Sequence, residues 1–143
     1  VIVLAEVGSR ALSSAINDSG TAIEVIGALV RVLTLWHDLR REEPEAHCHR
    51  RLYVPEITAD DLFVDGLQPI ARDGAGIVEV GIRLQKGLAA LATLGAQDVA
   101  QAATRHADLA LARALSTLTF AEDRAMITAA RHDGAISSGI PKD

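Results

Sequence analysis

Apolar residues recur at steps of three and four along almost the whole chain, interrupted only by short breaks rich in Gly, Pro, Asn and Asp. That period is the turn of an α-helix, whereas strands would require alternation. A chain patterned this way buries its apolar groups by packing amphipathic helices stripe against stripe. From Ile2 to Ile16, the residues Leu4, Val7, Ala11, Leu12 and Ala15 collect on one side of a first helix. After the break Asn17 to Gly20 comes "TAIEVIGALVRVLTLWHDLRRE", where Ala22, Ile26, Leu29, Leu33 and Trp36 form one stripe and Ile23, Val25, Val30 and Val32 widen it. So wide a stripe predicts a largely buried second helix, closed by Pro44, because the residue before proline disfavours the helical region.

Residues 44–57, "PEAHCHRRLYVPEI", have no helical period and predict a surface crossing or a short extended segment, which Pro55 would restrict to a sheet edge. Helix three opens at Thr58, with Asp61 three residues on as a capping box and Ile57 placed to staple onto Leu62. Gly66 and Pro69 should break it before a short second piece, and Gly74 suits a left-handed cap. Helix four, from about Ala75 to Leu94, gathers Ile77, Val80, Leu84, Leu88, Leu91 and Leu94 on one face. Gly81 and Gly87 lie beside that face, and glycine costs about 1 kcal/mol relative to alanine inside a helix, so close approach of a neighbour is implied. Helix five, Asp98 to about Leu118, carries Val99, Ala102, Ala103, His106, Leu109, Ala110 and Ala114 on one side. Thr119 with Glu122 forms a second capping box, opening a last helix to about His132. The prediction is an all-α fold, a single-domain bundle of five or six mostly antiparallel helices over residues 1–133, with 134–143 as a flexible tail.

Composition removes several functions. The 143 residues carry a formal charge of -5 and no basic stripe, so nucleic acid is not an expected partner. A single cysteine, Cys48, excludes an intrachain disulfide. Glu6, Glu24 and Arg31 interrupt every stretch that approaches the roughly 18 apolar residues of a membrane span, so a soluble chain is expected. The opening "VIVLAEVGSRAL" has neither an initiator Met nor the basic region of a signal peptide and reads as part of a longer protein.

Three places carry the residue types of a site. Glu6, Arg10, Ser13, Ser14 and Asn17 follow one another at helical spacing and lead into "NDSG", where helix two begins. Arg10, Ser13, Asn17, Asp18 and Thr21 together could bind a carboxylate or phosphate at the free amides of that helix start. Against this, Asp18 in the capping position would satisfy the amides itself. His47, Cys48 and His49 contain metal-ligating types but none of the familiar zinc spacings, so a solvated loop is the better reading and no metal is expected. His106 is the lone ionisable group on the apolar face of helix five and fits a hydrogen-bonded interior histidine. No nucleophile elbow, phosphate loop, HExxH or paired-carboxylate motif occurs, so no enzymatic residue and no cofactor is implied.

The stretch Arg10 to Glu24, "RALSSAINDSGTAIE", resembles the signature of a family of predicted bacterial membrane proteins known as domain of unknown function 2254. The later "FVDGLQPIARDGAGIVEVGIRL" is similar in spacing to that family's downstream portion. Ser14 and Ser19 stand where the family often has proline. The resemblance implies that this chain is the soluble C-terminal part of a longer protein of the bacterial inner membrane, on the cytoplasmic side. It carries no known activity; the wide apolar faces of helices two, four and five, of which a small bundle can leave one uncovered, point to self-association or packing on the N-terminal membrane region, with a small-molecule ligand at the Asn17–Asp18 corner as the alternative.

Overall fold

The computed structural model describes residues 1–42 and 55–137, and these are helical nearly throughout. The described residues form seven helices: α1 (Ile2–Ala11), α2 (Ser19–Glu42), α3 (Ala59–Gly66), α4 (Gln68–Asp73), α5 (Val78–Ala92), α6 (Gln97–Thr117) and α7 (Ala121–Ser137). The all-α bundle is as expected, and the seventh helix arises because Gly66 and Pro69 divide the third into α3 and α4. Of the segment 44–57, only 55–57 are described, and they are neither helix nor strand.

α5 is the hub. It packs against α2, α6 and α7, and its Val80, Leu84, Leu88 and Leu91 are almost completely buried in the core shared with Ile26, Leu29, Phe63, Ile70 and Ala103. The two glycines beside this face do what their cost implies. A Cβ on Gly87 would lie 2.9 Å from Val30 of α2, and one on Gly81 would lie 2.5 Å from Ile127 of α7. Sequential pairs such as α6 and α7 are antiparallel, with Asp108 joined to Arg131 and Arg124 reaching back to Leu118. By contrast, α5 runs in the same direction as α7, because Gly81 meets Ile127 while Ala89 meets Gly134. α2 also runs with α5, since its Arg40 reaches Asp98 just beyond the end of α5. The α3–α4 pair and α6 are the crossovers that return the chain, so the main contacts of α5 with α2 and α7 are parallel rather than antiparallel.

The boundaries differ from expectation at several points, each for a steric reason. α1 stops at Ala11 rather than Ile16, and its buried positions are Ala5, Gly8 and Ala11 while Val7 and Ala15 are exposed. A Cβ on Gly8 would sit 2.8 Å from Ile70 of α4, so α1 turns its smallest residues inward to approach closely. Gly74 has φ -94, not a left-handed value; it is required for space, because a Cβ would meet Val80 at 2.6 Å and the Ile70 carbonyl at 3.0 Å. The left-handed glycine is Gly95, φ 85, in the turn between α5 and α6. The second capping box shifts: Arg124 N–H bonds to the Phe120 carbonyl, so Phe120 rather than Thr119 precedes α7, and Glu122 falls in the first turn without facing the threonine. α7 continues to Ser137, past the expected start of the tail at 134, because Gly134 packs against Ala89 of α5.

Candidate functional site

The corner between α1 and α2 is built from its own polar residues. Asn17 takes φ 49, a left-handed conformation that asparagine tolerates, and this reverses the chain. The Asp18 N–H then donates to the Ala11 carbonyl at 2.8 Å, satisfying the end of α1. Asp18 also caps α2: Oδ1 accepts from the Thr21 amide at 3.0 Å and Oδ2 from the Thr21 hydroxyl at 2.6 Å. These bonds hold the Asp18 carboxyl below the usual carboxylate range, the Thr21 hydroxyl contributing most and its amide next. Thr21 and Ser13 are half-buried, whereas Arg10, Asn17 and Asp18 are exposed. The structure thus joins Asp18 to Thr21 and leaves Arg10 facing solvent, so an anion would find a carboxylate already on the amide and no inward guanidinium.

A second cluster joins α3 to α6. Thr58 caps α3, its Oγ1 accepting from the Asp61 amide at 3.1 Å, while the Asp61 carboxylate accepts from the Thr58 amide at 3.0 Å. This box fixes the first turn of α3 and turns the next carboxylate, Asp60, toward α6. There His106, 7% exposed, is stacked on Phe63 with ring centroids 5.5 Å apart, and its Nε2 lies 2.8 Å from Asp60 Oδ1. Arg105 donates to the same oxygen. The Asp60 carboxyl is held below its usual range, first by the hydrogen bond from His106 and further by Arg105. His106 is therefore a hydrogen-bonded interior histidine, with its orientation set by one aromatic ring and one carboxylate.

Beside this cluster lies a cleft of about 410 Å³ whose walls include Thr58, Asp60, Asp98, Gln101, Arg105 and Arg40. Arg40, from the last turns of α2, stacks over Trp36 at 4.6 Å, donates to Asp98 at 3.0 Å and reaches Glu56 at 3.5 Å. Each guanidinium in the cleft is committed to a carboxylate, so the arrangement clasps α2, α3 and α6 together around their polar ends. Neither Asp60 nor Arg40 is apparent from sequence spacing, because their partners lie dozens of residues away; the local signal was only an acidic first turn on α3. The other described buried histidine, His37, places Nδ1 3.1 Å from Asp38, and its Nε2 has no partner among the described residues. His47, Cys48 and His49 lie outside the described residues, and among the described residues no three metal-ligating side chains group together.

The third feature is apolar surface. The stripes expected on helices two, four and five cover one another in the core, except that Leu109 of α6 is 47% exposed and Val32, expected to widen the stripe of α2, lies outside the packed face. On α2 the open side runs from Val32, at the edge of the expected stripe, through Leu35 to Leu39, which are 39, 59 and 54% exposed at helical spacing. Over Ser19–Arg41 this helix is long and apolar enough to cross a membrane, judged by length and composition alone, despite Glu24 and Arg31. Its buried stripe of Ala22, Ile26, Leu29 and Leu33 serves the bundle. Only a third of it is covered.

A family model described as Predicted membrane protein (DUF2254) matches residues 1–90, a span that includes the Asn17–Asp18 corner, the whole of α2 and Asp60. The chain belongs to this family. No curated protein and no solved structure matches it. The family match ends inside α5, so the pairing of Asp60 with His106 ties the family region to the helices that follow.

Proposed function

We propose that this chain is a helical interaction module of a bacterial membrane protein, cytoplasmic and attached after the protein's membrane region, which packs on that region or on a second copy. The observation that carries this is the two-faced α2: one apolar stripe is spent on the core and a second, Val32, Leu35 and Leu39, is left in water. Covering each of these side chains contributes roughly 1–2 kcal/mol, somewhat less than full burial of an exposed residue because each is already partly shielded. The charged clasp at the end of the same helix supports the reading, since it fixes the rotation of α2 and hence the direction the stripe faces.

The test uses the full-length protein in detergent with a photo-crosslinking residue at Leu35. Crosslinks into the membrane region or between copies are expected, and Leu35 should be shielded from a water-soluble label. Light scattering on the 143-residue chain over a range of concentrations provides the second arm. A strictly monomeric chain together with a freely labelled, uncrosslinked Leu35 in the full-length protein refutes the proposal.

A further inference from the structure

Gly27 stands inside α2, where glycine weakens the helix relative to alanine, so a neighbour is expected to need the space. Elsewhere in the bundle that neighbour is apolar: Ile70 over Gly8, Ile127 over Gly81 and Val30 over Gly87. Over Gly27 it is charge. A Cβ there would meet Arg83 Nη2 of α5 at 2.9 Å and Arg31 Nη1 of α2 at 3.6 Å, and these two guanidiniums supply its nearest contacts. They converge on one point between α2 and α5, with the buried glycine beneath them and both arginines exposed. Glu79 lies one turn before Arg83, the spacing at which a carboxylate pairs with a following cation, and Glu24 lies one turn before Gly27. Arg83 nevertheless lies across α2, and among the described residues neither guanidinium has a hydrogen bond or an ion pair. Arg40, Arg72, Arg105 and Arg131 differ in this, since each is joined to a carboxylate.

We infer that Arg31 and Arg83 bind the phosphate group of an anionic ligand, seated over Gly27 between α2 and α5. Two like charges brought together without a carboxylate repel each other, and one oxyanion between them turns that repulsion into two attractions. Phosphate suits the pair because its oxygens accept from the parallel N–H groups of a guanidinium fork, one fork on each side. Gly27 supplies the room, since a methyl group at this position would occupy the place of the Arg83 guanidinium. A phosphate carried on a lipid also finds apolar surface at hand: Leu35, 59% exposed, lies one turn after Arg31 on α2. A lipid headgroup and a free phosphate compound present the same group to the arginines, and Leu35 tells them apart. The inference does not depend on what covers Val32 and Leu39.

Inorganic phosphate is titrated into the 143-residue chain at constant ionic strength, against sodium chloride, and followed by the NMR signals of the Gly27 amide and of the Arg31 and Arg83 side chains. A saturable shift is expected with phosphate and not with chloride. Arg31→Gln and Arg83→Gln should each weaken binding about tenfold, as loss of a charge-assisted hydrogen bond predicts. Arg83→Lys keeps the charge without the fork and should recover only part of the loss. Gly27→Ala keeps both charges and favours the helix, so it should fold and yet weaken binding several-fold by pushing Arg83 aside, with circular dichroism as the control. Co-sedimentation with vesicles of phosphatidylcholine and phosphatidylglycerol is the second arm. Vesicle binding that falls in Arg31→Gln and in Leu35→Ser assigns the phosphate to a lipid headgroup, whereas binding of inorganic phosphate without vesicle binding assigns it to a soluble compound. The inference is overturned if neither phosphate nor vesicles bind, or if chloride produces the same shift. It is equally overturned if Arg31→Gln, Arg83→Gln or Gly27→Ala leaves affinity unchanged, since the pair would then be ordinary surface charge.

Discussion

Gln85 sits in the middle of α5, 1% exposed, surrounded by the residues that hold α5, α6 and α7 together. Its Nε2 donates to the Ala107 carbonyl at 2.9 Å, but its Oε1 has no partner among the described residues. Replacing it with methionine separates two effects. The lost hydrogen bond is worth about 1 kcal/mol net, and the Ala107 carbonyl keeps its main-chain bond inside α6. The unpaired oxygen that disappears costs about 1–3 kcal/mol, and methionine matches glutamine in helix propensity and adapts well to irregular packing. Gln85→Met should therefore stabilise the chain by about 1 kcal/mol, raising the thermal midpoint by about 4 °C for a domain of this size. Urea denaturation followed by circular dichroism gives the free energy, with an unchanged slope showing that the folded state is as compact as before. Gln85→Glu is the matched control and should be strongly destabilising at neutral pH, because it buries an unpaired charge. The void beside Gln85 is about 10 Å³, at the lower edge of what a water requires. A loss of about 1 kcal/mol or more in Gln85→Met would mean that Oε1 is hydrogen-bonded after all, and the reasoning would fail.

Three further outcomes are expected. Because the Asp60 carboxyl is held below its usual range, the unfolded chain binds protons more readily as pH falls; the stability it supplies is complete above about pH 4 and is lost as pH drops through the lowered value. Asp60→Asn should flatten that acid limb in a pH series of urea midpoints, modestly because Asp60 is 43% exposed, and an unaltered limb would refute the pairing with His106. Leu29→Ala, at a site with 0% exposure, should cost about 2–5 kcal/mol by the same measurement, and a cost under about 1 kcal/mol would show that α2 is not anchored in the core. Asp18→Ala should lower the thermal midpoint while Asp18→Asn largely preserves it, since asparagine can still cap α2; equal loss in both would place the carboxylate's role outside capping.

Much of the helix order was legible because it is written in local spacing. The stripe Ile26, Leu29 and Leu33, the capping box of Thr58 and Asp61, and the break between Gly66 and Pro69 each follow from neighbours within a few residues. The inward face of α1 was not legible, since hydrophobicity ranks Leu4 and Val7 above Gly8, yet close approach to Ile70 favours the residue with no side chain. The same limit governs sites. The capping role of Asp18 was apparent from its distance to Thr21 in sequence, whereas the clasp of Asp60, Arg105 and Arg40 depends on how α2, α3 and α6 meet. Parallel packing of α5 with α2 and α7 was hidden for a related reason: short loops report which way a chain turns next, not which earlier helix it returns to.

The central position of α5 bears on how this family can vary. Its matched region stops at residue 90, two residues before the helix ends, but Gly81, Gln85 and Gly134 show α6 and α7 covering the sides of α5 that α2 does not. Residues 1–90 alone would expose a leucine-lined flank in mid-core. A relative sharing only those residues must therefore supply some other cover of comparable shape, so the segment after α5 is free to change in sequence only as far as it keeps a side chain that seats on Gly81 as Ile127 does and a small residue opposite Ala89.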